Sequence, residues 1–175
     1  MAEPTTSRGA TPLYDSSWDL LGRLRRALAA LALLFALGTA LELATLRHWK
    51  GPLMWTPWVI LALLTVGAVA LLRAPTTTGA VRFARGVALV SLIGGTAGMI
   101  AHFHGNLETA PLAALWAKRW DGLSTPQQWW EVASGGAGVA PVLAPGFLAV
   151  GGAILALATY GVGRARGAAS AQPRT

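Results

Sequence analysis

Three histidines and two carboxylates lie near the ends of two apolar stretches of this chain. Glu42 lies about one helical turn inside the end of the first stretch, and His48 follows that end. The third stretch ends in the run His-Phe-His-Gly-Asn-Leu-Glu, which carries His102, His104 and Glu108. Neutral imidazole and carboxylate are ligands that zinc, copper, iron and nickel accept. The five residues are therefore a candidate metal site or, with two histidines as axial ligands, a haem site; proton or ligand handling is a further alternative.

The same residues also have a purely structural interpretation. A carboxylate within a membrane span costs about 2.5–3.5 kcal/mol at the helix centre and less near an end. Glu42 is therefore expected to pair with Arg47 or with one of the histidines, and so to tie helices together. On a helix His102 and His104 point about 200° apart. They converge on one ligand only if the helix ends there, as Gly105 indicates.

Other catalytic patterns are missing from the sequence. There is no cysteine, which excludes disulfides, thiolate metal ligands and cysteine nucleophiles. No nucleophile elbow, zinc-protease helix motif, phosphate-binding loop or dinucleotide fingerprint is present. The glycine-rich run 135–138 precedes an apolar stretch without a strand or a lysine, so it is interpreted as a flexible linker. The sequence thus favours a protein that is not an enzyme. A metal ion or haem is the possible cofactor.

The elements that must position the candidate site are four long apolar stretches. Apolar residues make up 54% of the 175 positions and charged residues 12%. A membrane-spanning helix needs about 20 apolar residues, and the stretches that meet this length are residues 27–46, 53–72, 86–103 and 142–163. A soluble protein with four such helices would have no amphipathic surface to cover them. The sequence therefore predicts an all-α, integral membrane four-helix bundle.

The remaining segments are assigned from composition. Residues 1–15 and 164–175 are expected to be disordered tails, and 16–163 the transmembrane domain. A capping-box pattern at its start predicts an interfacial helix over 16–26 that runs into the first span. The loop 104–141 is expected to carry short helices along the membrane surface. A cleaved signal peptide is the alternative for the first stretch, but the apolar run is too long to favour it.

The net charge of +7 is distributed unevenly. Ten of the 14 basic residues lie before the first span, between the second and third, or after the fourth: Arg8, Arg23, Arg25, Arg26, Arg73, Arg82, Arg85, Arg164, Arg166 and Arg174. This bias predicts that both termini are cytoplasmic. No basic helix or aromatic platform accompanies the charge, so nucleic acid is not an expected partner. The arginine-, alanine- and glycine-rich composition suggests a bacterial protein, which predicts the bacterial cytoplasmic membrane as its location and the lipid bilayer as a partner.

Tryptophans are concentrated on the other side of this predicted topology. Seven of the eight fall there: Trp49, Trp55, Trp58, Trp116, Trp120, Trp129 and Trp130. Aromatic belts normally occur at both membrane interfaces, so the asymmetry is informative. Two interpretations remain open: a one-sided membrane anchor, or a docking surface for another membrane subunit or an apolar ligand.

Small residues cluster in the third and fourth stretches. Gly94, Gly95 and Gly98 include a GxxxG pair, and Gly151 and Gly152 lie in the fourth stretch. Small residues let membrane helices approach closely. The third span is therefore expected to pack tightly within the bundle, and a homo-oligomer formed through the GxxxG pair is the alternative.

A longer pattern runs through the last two stretches. Its residues are His102, Gly105, Asn106 and Glu108, then Pro141, Leu143, Ala144, Pro145 and Gly146, then Thr159 and Tyr160, with the Glu42 and His48 pair before them. This pattern resembles a family of small bacterial four-span integral membrane proteins of unknown activity. The family commonly has a basic residue where His104 stands, which argues against a metal site that needs His104. The resemblance implies the four-helix layout and no particular activity.

Three functions are compatible with these observations. The leading one is a non-enzymatic accessory or structural subunit of a larger bacterial membrane complex, favoured by the small size, the tryptophans and the close-packing glycines. The second is a metal- or haem-binding membrane protein. The third is a small transporter or channel component that acts as an oligomer, although the spans lack the polar midplane residues that such a path requires.

Overall fold

The computed structural model of the chain describes residues 13–162, with side chains from Leu20 onward. The predicted tail 164–175 and most of the tail 1–15 lie outside the described residues. The described part contains five α-helices: α1 (Leu13–Thr45), α2 (Thr56–Arg73), α3 (Thr78–Thr109), α4 (Thr125–Ala133) and α5 (Gly146–Ala158). Single 3-10 turns occur at Pro52–Trp55, Ala110–Leu112 and Trp120–Gly122. The all-α prediction is confirmed over this part of the chain.

Within the described residues, three segments are long and apolar enough to cross a membrane, namely Leu20–Thr45, Pro52–Arg73 and Thr78–Leu112. The chain is therefore a multi-pass membrane protein. The fourth apolar stretch forms a shorter helix than its length predicts, because α5 has only 13 residues. At 1.5 Å per residue α5 is about 20 Å long, whereas the hydrocarbon core is about 30 Å thick.

The helix boundaries differ from the predicted spans for an identifiable reason. α3 begins at Thr78 rather than at residue 86 and continues to Thr109, so most of the segment between the predicted second and third spans is helical. The 32 residues of α3 make it about 48 Å long, longer than the bilayer core. Hydropathy identifies only the apolar part of a helix. Because α3 also contains more polar residues on both sides of its apolar stretch, it is longer than the predicted span.

The three long apolar helices and the shorter α5 form an up-and-down bundle. α1 packs against α2 and α5, and α3 packs against α2 and α5. The interior is filled by small and branched side chains, including Ala32, Ala36, Leu64, Ala68, Leu71, Ala84, Ala88, Leu155 and Ala158. Large apolar side chains cover the outside instead, among them Leu34, Leu37, Leu41, Val59, Val66, Leu89, Ile93, Ile100, Val150 and Leu157. This arrangement suits a bundle surrounded by lipid, because in water such an exposed surface would be strongly unfavourable.

Close contact between α3 and α5 depends on glycines in both helices. A Cβ atom added to Gly95 would lie 2.5 Å from the Ala149 backbone nitrogen, and one on Gly98 would lie 2.8 Å from the Pro145 side chain. On the facing helix, a Cβ on Gly152 would lie 2.8 Å from the Ala88 carbonyl oxygen. The two backbones therefore approach more closely than any larger residue permits, which is the packing mode by which membrane helices associate.

The remaining two predicted packing glycines meet α2. A Cβ added to Gly94 would lie 2.5 Å from the Ile60 side chain, and one on Gly151 would lie 2.8 Å from the Leu64 side chain. All five glycines thus face neighbouring helices of the same chain. Gly94 in addition lines an open groove between α2 and α3.

α1 ends in a Schellman motif, although no glycine is present there. The His48 N–H donates to the Leu43 carbonyl (2.9 Å), and the Arg47 N–H donates to the Ala44 carbonyl (3.1 Å). Arg47 occupies the left-handed position with a φ of 50°. The Trp58 indole N–H then donates to the His48 carbonyl at 2.8 Å, which joins the start of α2 to the end of α1.

Two arginines cap the C-terminal end of α5. Arg85, near the start of α3, donates to the Thr159 carbonyl and to the Val162 carbonyl, each at 3.0 Å, and Arg25 of α1 donates to the Tyr160 carbonyl at 3.3 Å. The last carbonyls of a helix have no partner within it and carry partial negative charge. The three carbonyls lie in the turn that follows Ala158, so the guanidinium groups place positive charge beside the C-terminal end of α5, where it is favourable. We call this side of the bundle the arginine end.

Replacing Arg85 by leucine is expected to lower the stability of the protein by about 1–2 kcal/mol, because charged donors are removed from the end of α5. The thermal unfolding midpoint in a mild detergent measures the change. Arg82→Leu is the matched control, since Arg82 is exposed on the same helix and makes no described hydrogen bond. Equal midpoints for the two variants would contradict a capping role.

Candidate functional site

The segment between α3 and α5, residues 110–145, folds into a small structure that we call the crown. Its interior is a second apolar cluster formed by Ala110, Trp116, Trp120, Val132 and Ala137, with Phe103, Leu107, Ala113, Leu123 and Val142 packed against it. The crown lies on the end of α3, on the side of the bundle opposite the arginine end. We call this side the crown end.

Trp116 and Trp120 form the centre of the crown. Each is only 6% exposed, and their rings meet edge to face with centroids 5.9 Å apart. The Trp116 indole N–H donates to the Gly136 carbonyl at 3.1 Å, and the Arg119 guanidinium lies 4.9 Å from the Trp116 ring centroid. Both indoles are therefore interior groups. Contacts within the crown cover them, so the surface of the crown is formed by other side chains.

Asn106 of α3 holds the crown onto the bundle. Its side chain is 2% exposed, and its Oδ1 accepts hydrogen bonds from the Val139 N–H (3.2 Å) and the Ala140 N–H (3.0 Å). Its Nδ2 donates to the Ala140 carbonyl at 2.6 Å. Gly138 packs directly over the amide with a φ of +96°. The glycine-rich run 135–138 thus packs against Asn106 and Trp116, in contrast to the flexible linker predicted from composition.

Four of the predicted tryptophans remain exposed. Trp49 and Trp55 lie in the connection between α1 and α2, and Trp129 and Trp130 lie on α4. Trp58 is half-buried through its hydrogen bond to the end of α1. α4 begins with a capping box in which the Ser124 N–H donates to the Gln127 side chain at 2.9 Å. A short, well-defined helix therefore presents two adjacent indoles on the surface of the crown.

The imidazole and carboxylate groups do not assemble into one site. α3 continues as a helix through Gly105, so His102 and His104 stay on different faces. His102 is engaged with the crown, its Nδ1 lying 3.0 Å from the Pro141 carbonyl oxygen, whereas His104 and Glu108 are exposed. Between residues 13 and 162 no three His, Asp or Glu side chains are placed to share a metal ion. The geometry therefore gives no support to the metal and haem interpretations.

Glu42 is the exception among these residues, because it lies inside a membrane-crossing helix. Its side chain is half-buried, and within the described part of the chain its carboxylate makes no hydrogen bond or ion pair. The expected pairing with Arg47 or a histidine is not formed. Instead the carboxylate lines a shallow groove of about 360 Å³ between α1 and α5, together with Leu34, Phe35, Gly38, Thr39 and Phe147.

A second groove lies between α2 and α3 and carries no ionisable group. Its volume is about 480 Å³, and its walls are Thr56, Val59, Ile60, Leu63, Val90, Ile93 and Gly94. Both grooves are open to the surroundings of the bundle. They differ in that only the groove between α1 and α5 is lined by a charged side chain.

Comparison of the chain with protein-family models, with curated proteins and with solved structures finds no match. The resemblance to a family of small membrane proteins therefore has no support from these comparisons, and no family is identified. The firm result is a helical multi-pass membrane protein with three long apolar helices and a shorter fourth.

Proposed function

We propose that the protein is a non-enzymatic accessory subunit of a larger membrane assembly, and that the crown is its docking element. The observation that carries this proposal is the apolar surface of the crown. Trp130 is 70% exposed and Trp129 55% exposed on α4, and further large apolar side chains are exposed nearby in sequence: Leu112, Leu115, Val139 and Leu143. Exposed indoles on a rigid helix are typical anchors of protein interfaces.

The proposed orientation of the protein in the membrane follows from the difference between the two ends of the bundle. We infer that the arginine end faces the cytoplasm of a bacterium, since basic residues are retained on that side. The crown then faces outward. We infer that the short α5 completes a fourth crossing, because it packs against α1 and α3 and because Arg25 and Arg85 donate to carbonyls in the turn that follows it.

The partner is expected to be a different chain. Gly95 and Gly98 already contact α5 or the residue before it, and Gly94 contacts Ile60 of α2, so a GxxxG homodimer would compete with contacts inside the bundle. Transport is a weaker proposal, because the described interior of the bundle is filled by small apolar side chains. Its buried polar groups are limited to Thr39, Ser91 and Thr159, which do not form a polar path.

The double substitution Trp129→Ser, Trp130→Ser is expected to abolish a stoichiometric complex with one defined membrane protein while leaving the fold intact. The complex is measured by purification from native membranes in a mild detergent, followed by size-exclusion chromatography and mass spectrometry. Trp55→Ser is the matched control, because Trp55 is equally exposed but lies outside the crown. A wild-type protein that elutes only as a monodisperse monomer would contradict the proposal. Weaker membrane association of the double variant, with no complex in the wild type, would identify the indoles as a membrane anchor instead.

A further inference from the structure

Glu42 carries a charge in the membrane-crossing part of α1, and within the described residues its carboxylate has no partner. It lies three residues before the end of α1, whereas the exposed Trp49 and Trp55 lie beyond that end. Exposed tryptophans of a membrane protein are typical of the membrane–water interface, so the carboxylate lies on the membrane side of this interface. A charge at this depth is costly unless it is paired. The carboxylate therefore calls for a cation at the same depth.

The chain itself supplies no cation at this depth. None of its four apolar stretches contains a lysine or an arginine, and the nearest basic residues in sequence, Arg47 and Lys50, are exposed beyond the end of α1. A second copy of the protein packed on the same groove would bring another carboxylate to the site. Because like charges placed together are unfavourable, the partner is a different molecule.

The depth of the carboxylate also favours a protein partner over a lipid. In a phospholipid the ammonium group is separated from the acyl chains by the phosphate, so it lies farther from the membrane centre than Glu42 does. A membrane-spanning helix has no such restriction. It can carry a lysine or an arginine inside the membrane, where such residues face other helices and pair with opposite charges.

The groove between α1 and α5 is shallow and open, as is required of a surface along which another helix lies. From Leu34 to Glu42 it follows α1 for about 12 Å, slightly more than two helical turns. Gly38 lies midway between them, and a Cβ atom added to it would meet no heavy atom within 4 Å. The backbone of a partner helix can therefore approach α1 closely at this point. Gly95 of α3, by contrast, is already covered by the backbone of α5.

We propose that this groove binds a membrane-spanning helix of a different subunit, and that this helix carries a lysine or an arginine about one turn inside the membrane boundary at the crown end. The basic side chain pairs with Glu42 through a charge-assisted hydrogen bond. An apolar face of the same helix packs on Leu34, Phe35 and Gly38. The inference rests on the accessory-subunit proposal and deepens it, because it names the chemistry of the partner within the membrane.

The test uses the full-length protein in phosphatidylcholine vesicles with two synthetic membrane-spanning peptides of leucine and alanine. One peptide carries a single lysine about one turn from its end, and the other carries methionine at the same position. Binding is measured by fluorescence energy transfer between labelled protein and labelled peptide. The wild type is expected to bind the lysine peptide at least about tenfold more tightly, because only this peptide can pair with Glu42. Equal binding of the two peptides would overturn the proposal.

Three variants locate the contact. Glu42→Gln is nearly isosteric and removes the charge, so it is expected to abolish the preference for the lysine peptide. Gly38→Leu fills the groove and is expected to weaken binding of the lysine peptide about tenfold. Glu108→Gln is the matched control and should keep the full preference, because Glu108 is exposed at the same end of the bundle but outside the groove. Tight binding of the lysine peptide by both Glu42→Gln and Gly38→Leu would refute the assignment; if Glu42→Gln yields no folded protein, Gly38→Leu decides in the same way.

Purification from native membranes separates this inference from the accessory-subunit proposal. A complex that forms with the wild type and is lost in Glu42→Gln supports the pairing only if a cross-linked, membrane-spanning segment of the partner contains a lysine or an arginine; a segment without one overturns it. A complex that is unchanged in both Glu42→Gln and Gly38→Leu overturns the groove assignment alone. Absence of a complex in the wild type contradicts the accessory-subunit role, and the peptide preference then decides separately whether the groove binds a basic helix.

Discussion

Replacing Asn106 by alanine is expected to release the crown from the end of α3 while the four-helix bundle stays folded. The substitution removes three hydrogen bonds between the amide and the backbone at Val139 and Ala140. Each such bond contributes about 1 kcal/mol, and groups left buried without a partner cost more. The free energy that holds the crown in place should therefore fall by at least about 3 kcal/mol.

Hydrogen exchange of backbone amides measures this release directly. A loss of about 3 kcal/mol corresponds to roughly a hundredfold faster exchange through local opening, and it should be confined to the crown and spare α1 and α2. Glu108→Ala is the control, because Glu108 is exposed two residues further along the same helix. Uniformly faster exchange over all helices would show instead that the crown and the bundle unfold as one unit.

Alanine substitutions at two glycines of the crown distinguish the cost of backbone strain from the cost of a steric clash with Asn106. Gly135 and Gly138 both have positive φ, of 80° and 96°. A Cβ atom on Gly135 would meet nothing within 4 Å, whereas one on Gly138 would overlap the Asn106 side chain. Gly135→Ala should therefore cost only the strain, about 1–2 kcal/mol. Gly138→Ala should release the crown as fully as Asn106→Ala. Equal increases in hydrogen exchange for Gly135→Ala and Gly138→Ala would contradict the role of Asn106 in holding the crown.

The sequence predicts the membrane-crossing elements well because hydropathy is a local property. A stretch of apolar residues must satisfy its own backbone hydrogen bonds in lipid, and a helix does so regardless of its neighbours. The small residues of α3 are also informative, since close backbone approach has no other use for them in lipid. What hydropathy does not locate is the end of a helix that leaves the membrane, as the extension of α3 to Thr109 illustrates.

The local sequence does not predict which tryptophans are buried and which are exposed. The sequence places Trp116, Trp120, Trp129 and Trp130 in the same loop, yet the first two are buried and the last two exposed. The difference is set by contacts distant in sequence, such as the bond from Trp116 to Gly136. Burial of this kind depends on the folded loop as a whole, which local periodicity does not specify.

The sequence allows His102 and His104 to converge only if the helix ends at Gly105. Glycine within a helix costs only about 1 kcal/mol, and α3 continues through Gly105 to Thr109. The side chain of Asn106 makes three hydrogen bonds to the crown, and these depend on the folded loop rather than on the local sequence. Arg85 was interpreted solely as a topology signal, although its hydrogen bonds to Thr159 and Val162 give it a structural role as well.

Replacing Gly95 by alanine is expected to be the most damaging single-methyl change in the bundle. The new Cβ would lie 2.5 Å from the Ala149 backbone nitrogen and 2.8 Å from the Pro145 carbonyl oxygen. Because both neighbours are backbone atoms, no side chain can rotate away, and α5 must move as a whole. Overpacking of a close-packed interior typically costs 1–3 kcal/mol, and a rigid contact places this variant near about 3 kcal/mol.

The thermal unfolding midpoint in detergent tests this expectation against a control on the same helix. Gly86→Ala adds the same methyl group to α3, but its Cβ meets nothing within 4 Å. It should therefore leave stability unchanged or raise it by about 0.5–1 kcal/mol, since alanine is the better helix former. The change in helix propensity is the same for the two substitutions. A loss of stability for Gly95→Ala together with no loss for Gly86→Ala would therefore show that the backbones of α3 and α5 are in close contact at Gly95. A neutral Gly95→Ala would mean that α5 lies farther from α3 than the structure places it, and the groove between α1 and α5 would then have a different shape.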